Sequence, residues 1–174
     1  MIEVHHGLFV GSQSDLESGI FEPDSWAIVH ACKEPHHREA LGYKGRAADK
    51  THPEYLLARR GHRLILNLVD VEDPRWIAPE IMDAAVTFIH ENLTADRSVL
   101  VHCNQGCSRS PSIAMLYIAM HTTRLPRSSY DQAKDVFVEI YPPFAPAGGM
   151  DGFLRDRWLS WGEAEGAGTV GVAP

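Results

Sequence analysis

A thiol and a guanidinium six positions apart, Cys103 and Arg109, stand in the run His102-Cys103-Asn104-Gln105-Gly106-Cys107-Ser108-Arg109-Ser110. The β-prone stretch Ser98-Val99-Leu100-Val101 precedes it, and Pro111 with the apolar run from Ile113 to Met120 follows. That order predicts a strand, a tight loop and a helix. The strand would deliver Cys103 to the carboxyl edge of a sheet, where open α/β folds place their ligands. Backbone N–H groups of Asn104, Gln105, Gly106, Cys107 and Ser108 can converge on one anion, and the helix N-terminus adds its dipole at the same spot. The same cradle favours the ionised form of Cys103, a nucleophile that needs no separate general base. Arg109 offers two parallel donors to two phosphoryl oxygens, a fork that lysine does not match. Gly106 permits a turn that a side chain would obstruct. Ser110 suits an N-cap with Pro111 at the first helical position, and it can also donate to the sulfur and help it leave. Together these residues imply phosphoryl transfer through a phosphocysteine, with Cys103, Arg109 and Ser110 as actors and no metal or organic cofactor.

The pattern His-Cys-x5-Arg-Ser, from His102-Cys103 to Arg109-Ser110, resembles the signature loop of cysteine-dependent protein tyrosine phosphatases. Its surroundings are most similar to the dual-specificity branch. Glu3 to Gly11-Ser12 resembles that branch's first hairpin, Leu66-Asn67-Leu68-Val69-Asp70 with the helix after it resembles the acid loop, and Pro142-Pro143-Phe144 to Phe153-Leu154 resembles the closing segment. The likeness spans roughly residues 2 to 160. It implies an α/β fold with a central, mostly parallel sheet flanked by helices, the signature loop lying between a strand and a buried helix. It also implies a hydrolase for phosphotyrosine, with phosphoserine and phosphothreonine as further substrates. The alternatives are a non-protein phosphomonoester (a phosphoinositide, a sugar phosphate or an RNA 5′ phosphate), or a phospho-binding module with vestigial activity.

Protonating the leaving oxygen requires an acid. The resemblance puts it on an aspartate some thirty residues upstream of the cysteine. Asp70 lies 33 positions before Cys103 and Asp73 lies 30 before. Asp70 is favoured because it ends the apolar strand directly, whereas Asp73 precedes Pro74 and falls near the next helix. The resemblance gives His102 a supporting role through hydrogen bonding; a buried, satisfied histidine is the alternative. Cys107 is read as a space-filling loop residue, with a disulfide to Cys103 as the lesser alternative, and Cys32 as a buried strand-end residue.

At 174 residues, with 44% hydrophobic and 22% charged residues, the chain fits one globular domain. That domain is expected over 1–161, with a disordered, Gly-rich tail over 162–174. A net charge of −7 implies no general affinity for nucleic acid or membranes. Phosphate recognition must then be local, and the expected partner is a phosphorylated protein or a small phosphomonoester. Three cysteines make no disulfide scaffold. With neither a signal-peptide pattern nor an 18-residue apolar run, a cytoplasmic location is expected.

Strands are predicted at Glu3–His5, Leu8–Val10, Trp26–Ala31, Arg63–Val69 and Ser98–His102. Helices are predicted from Pro79 to Asn92, Ser110 to His121, Ser128 or Ser129 to Ile140, and Gly149 or Met150 to Trp161. A short helix is expected within Ser12–Ser18, with Ser14 or Asp15 near its start. Residues 33–62 read as a long polar connection, with a short helix near Glu54–Arg59 as one reading. Cys32, His36, His37, His52 and His62 lack the compact spacing of structural zinc ligands, so no metal is expected there.

Overall fold

The computed structural model describes residues 1–163. Six strands form one sheet in the order β1-β2-β6-β3-β5-β4: β1 (Ile2–His5), β2 (Leu8–Ser12), β3 (Trp26–His30), β4 (Leu57–Arg60), β5 (Arg63–Leu66) and β6 (Ser98–Cys103). The inner four run parallel, while β1 and β4 pair antiparallel at the two edges. Central β6 carries five successive buried residues after Ser98, as expected of a parallel strand covered on both faces.

Helix α1 (Gln13–Ser18) is followed by α2 (Arg38–Leu41), α3 (Pro79–Thr94), α4 (Arg109–His121), α5 (Tyr130–Ile140), α6 (Gly148–Arg157) and α7 (Ser160–Glu163). Helix α4 is buried from Arg109 to Ala119 and packs on β6, β2 and α3, which makes it the central helix. Its core is continuous with Ile81, Met82, Ala85, Phe88 and Ile89 of α3, whose spacing is that of one helical face.

Four local expectations need correction. Residues 57–60 are a strand, because the β-turn at Gly61 (φ 57°) lets Leu57–Arg60 pair antiparallel with β5. A Gly at positive φ is the hairpin signal at that point. Helix α1 is capped by Ser12, which accepts from the Asp15 N–H while Asp15 accepts from the Ser12 N–H, a capping box. Helix α4 begins at Arg109 with Ser108 in the capping position, so Ser110 lies inside the first turn and is no cap. The wide helical turn at Lys33–His37 that leads into α2 was not foreseen. The helix expected to reach Trp161 ends at Arg157, and α7 follows. Most of the expected disordered tail lies outside the described residues.

Candidate active site

Strand β6 ends at Cys103, and the sheet's parallel order sets its tip between the ends of β2 and β3. The chain then curls back through Gly106, whose φ is 77°. A Cβ there would meet the Gly11 carbonyl carbon and oxygen at 3.0 Å, so both the dihedral and the space require glycine. The loop is held from outside as well. The Tyr141 hydroxyl donates to Gly106 O at 2.8 Å, Ala145 N–H donates to Cys107 O at 2.8 Å, and Gln13 N–H donates to Asn104 O at 3.3 Å.

The Cys103 sulfur accepts from Gly106 N–H at 3.3 Å. Ser110 Oγ lies 3.3 Å from the same sulfur and 3.2 Å from Gly11 O, so one hydroxyl proton is shared between two acceptors. A negative sulfur would draw that proton to itself. Arg109 is buried and its Nη groups are braced, Nη1 donating to Leu68 O at 3.3 Å and Nη2 to Asn104 Oδ1 at 2.7 Å. Its Nε is buried with no hydrogen-bond partner, 3.7 Å from Asp70 Oδ2. Two of the five guanidinium N–H groups make hydrogen bonds, to Leu68 and Asn104.

Asp70 and Asp73 separate clearly. Asp70 accepts from the Ser108 hydroxyl at 2.9 Å, and Ser108 Oγ in turn accepts from Ala147 N–H at 3.1 Å. Its chain neighbours are anchored too: Leu68 O accepts from Lys33 N–H, and Val71 O accepts from Gly149 N–H, both at 2.9 Å. Asp73 instead caps a single helical turn (Pro74–Trp76) and pairs with Arg75 at 2.6 Å. That hydrogen bond to Arg75 holds the Asp73 carboxyl below the usual carboxylate range, the wrong direction for a proton donor.

The remaining expected residues take varied places. Gly106 and Ser108 are buried in the loop, Asn104 and Gln105 are exposed, and Cys107 is intermediate with its thiol raised by burial. Cys32 is fully buried and its thiol is pushed up to about 12 by desolvation. Cys32, Cys103 and Cys107 are all free thiols. Tyr141 and Gly11 were not among the foreseen residues. Tyr141 reads as one more apolar helix-end residue, and the contact of Gly11 spans 95 positions of chain, so neither gives a local signal.

A buried cluster behind the loop was also missed. His102 Nε2 and His30 Nδ1 lie 2.7 Å apart, and the His36 ring lies tilted against His30 at a 4.0 Å centroid distance. Burial holds His30 at about 2 and His102 at about 3, so both rings are neutral.

A glycine-turned loop clasping a cysteine and an arginine at the end of a parallel strand defines a cysteine-dependent phosphatase. The chain belongs to the dual specificity phosphatase catalytic-domain family, matching it over residues 48–144. Over 57 residues it is 32% identical to the phosphatidylglycerophosphate phosphatase PTPMT1 of Arabidopsis thaliana, which covers 33% of this chain and 17% of that protein. Among solved structures, the human tyrosine phosphatase-like serine/threonine/tyrosine-interacting protein superposes with a TM-score of 0.60 at 22% identity, over 94% of this chain and 95% of the other. DUSP15 gives 0.62 at 17% identity over 99% and 98%. PTPMT1 in complex with PI(5)P gives 0.60 at 15% identity over 93% and 96%. At those identities the structures speak for the fold. Among the described residues, no helix is long and apolar enough to cross a membrane.

Proposed function

We propose that the chain hydrolyses phosphomonoesters in two half-steps. Cys103 Sγ attacks phosphorus, the P–O bond to the leaving group breaks, and Asp70 gives its proton to the departing oxygen. Water then attacks the phosphocysteine, Asp70 takes a proton from it, and the S–P bond breaks with Ser110 donating to the released sulfur. Arg109 and the loop N–H groups of residues 104–108 hold the three non-bridging oxygens throughout. The observation that carries this reading is the sulfur itself, which receives Gly106 N–H and Ser110 Oγ at 3.3 Å each beside the buried Arg109, whose Nε lies 3.7 Å from Asp70 Oδ2.

For the substrate we propose phosphotyrosine in proteins, extending to phosphoserine and phosphothreonine. Cys103 is only 1% exposed, which suits an aryl phosphate long enough to reach a recessed sulfur. A phospholipid monoester is the second reading, favoured by the plant relative named as a phosphatidylglycerophosphate phosphatase. Turnover of an aryl phosphate that vanadate blocks and chelators leave intact would support the reaction. Phosphate release from phosphotyrosine and phosphoserine peptides, compared with vesicles carrying phosphatidylglycerophosphate or a phosphoinositide, then chooses the substrate. A chain that binds these but turns none over would refute the hydrolytic reading.

A further inference from the structure

Three imidazoles meet immediately behind the signature loop. His30 comes from β3, His36 from the wide turn that follows it, and His102 from β6 one residue before Cys103. One nitrogen from each ring can be chosen such that all lie within 4.8 Å of one another. His30 and His36 face each other tilted by 32°, and His102 stands edge-on to both, at 88° and 86°. His30 and His102 are 1% and 0% exposed, and His36 is half-buried with Nε2 3.0 Å from Gln13 Oε1.

The hydrogen bonding of this cluster does not close on itself. Arg63 Nη1 lies 3.4 Å from His30 Nε2, and a guanidinium can only donate. His30 Nε2 is therefore the lone-pair nitrogen, and the proton between His30 and His102 sits on His30 Nδ1. His102 must then carry its own proton on Nδ1, which is buried with no hydrogen-bond partner.

We propose that His30, His36 and His102 form a binding site for a first-row divalent cation, Zn2+ above all. Neutral imidazole is a preferred ligand of zinc, and three histidines plus water or a side-chain oxygen complete a tetrahedron. Burial lowers the basicity of all three rings. The charges facing the cluster are Glu17 and Glu39 near His36, against Arg63 and, farther off at the loop, Arg109. Two carboxylates on the side of the partly open His36 suit the entry of a cation. Zinc–nitrogen bonds of about 2.0–2.1 Å place tetrahedral nitrogens about 3.4 Å apart, so the 2.7 Å His30–His102 contact must open, the His30 Nδ1 proton must pass to Nε2 with the exposed Arg63 drawing back, and His36 must move inward. The half-buried His36 ring is held by a tilted contact with His30, an edge contact with His102 and the hydrogen bond to Gln13. The site has no part in phosphoryl transfer, so its test stands whether or not the chain is a phosphatase.

The experiment uses the full chain with Cys103→Ser, which removes the loop thiol as a competing zinc ligand. Equilibrium dialysis against Zn2+ with atomic absorption should find one ion per chain. Adding His36→Ala should weaken binding by at least about tenfold, with His36→Gln giving the same loss, and His52→Ala should leave it unchanged. Co2+ in place of Zn2+ should show the visible bands of a tetrahedral nitrogen site without sulfur charge transfer. Metal-free melting curves that match across the variants establish that the fold is intact. Less than one ion per chain, full affinity in both His36 variants, or a sulfur charge-transfer band would overturn the proposal.

Discussion

The two loops that bracket the candidate site are built to opposite standards. Around Cys103 to Ser110 the framework is braced: the sulfur by Gly106 and Ser110, the arginine by Leu68 and Asn104, the carbonyls by Tyr141 and Ala145. The acid loop is pinned at Leu68 and Val71, but beyond Asp70 it leaves Asp73 paired only with Arg75, and Trp76 is 77% exposed. A preorganised anion cradle should be rigid, because donors fixed in advance need no rearrangement as charge moves. A group that must reach a leaving oxygen and then an incoming water profits from looser tethering. In the proposed reaction the rigid loop supplies nucleophile and cation, and Asp70, itself tied to Ser108 at the pinned base of the second loop, supplies the proton.

Substitutions on each side sharpen that contrast. Cys103→Ser should reduce aryl phosphate turnover to background, a loss on the order of 10⁵-fold or more, with the melting temperature unchanged. Residual turnover after that change would remove the rigid loop from the chemistry. Asp70→Asn should cost on the order of 10²–10⁴-fold, with the loss shrinking as the leaving group becomes more acidic. Asp73→Asn should leave turnover unchanged. The reverse pattern would move the acid to the exposed turn.

Smaller effects test the support behind the rigid loop. His30 and His102 have their basicity lowered in the fold, to about 2 and about 3. Both are neutral when folded and protonate near pH 6.5 when unfolded. Their contribution is therefore fully present above pH 6.5 and is lost as the pH falls below it, at about 1.4 kcal/mol per pH unit for each ring. Denaturant titrations from pH 7.5 to 5 should show this decline, and His30→Gln should reduce its slope; an unchanged slope would mean that His30 is not buried neutral. Tyr141→Phe should be the mildest change, costing about 1 kcal/mol of stability with a modest fall in kcat. Its readouts are a melting curve and initial rates.

How much of this was legible in the chain followed the range of each interaction. Strand, loop and helix around Cys103 are contiguous, so residue types and order reveal them together. Ser129 as a cap for α5, and Pro79 at the start of α3, are local signals that the structure bears out. The placement of Ser110 shows the limit: a Ser-Pro pair reads as a cap, yet the helix starts one turn's fraction earlier and turns the hydroxyl onto sulfur. Strand β4 was hidden because a short segment with two arginines has little apolar pattern, and only its pairing with β5 makes it a strand. The histidine cluster joins positions 30, 36 and 102, whose 72-residue separation carries no spacing signature. Spacing alone left Asp70 and Asp73 open. The hydroxyl of Ser108, 38 positions away, bonds Asp70.

Rapid acid quench of the enzyme mixed with excess aryl phosphate, followed by peptide mass spectrometry, tests the account most directly. It predicts a burst of released alcohol equal to the enzyme present, with phosphate bound to the peptide at Cys103 and accumulating further in the Asp70→Asn chain. Steady turnover with no thiol-bound phosphate at any quench time would contradict it.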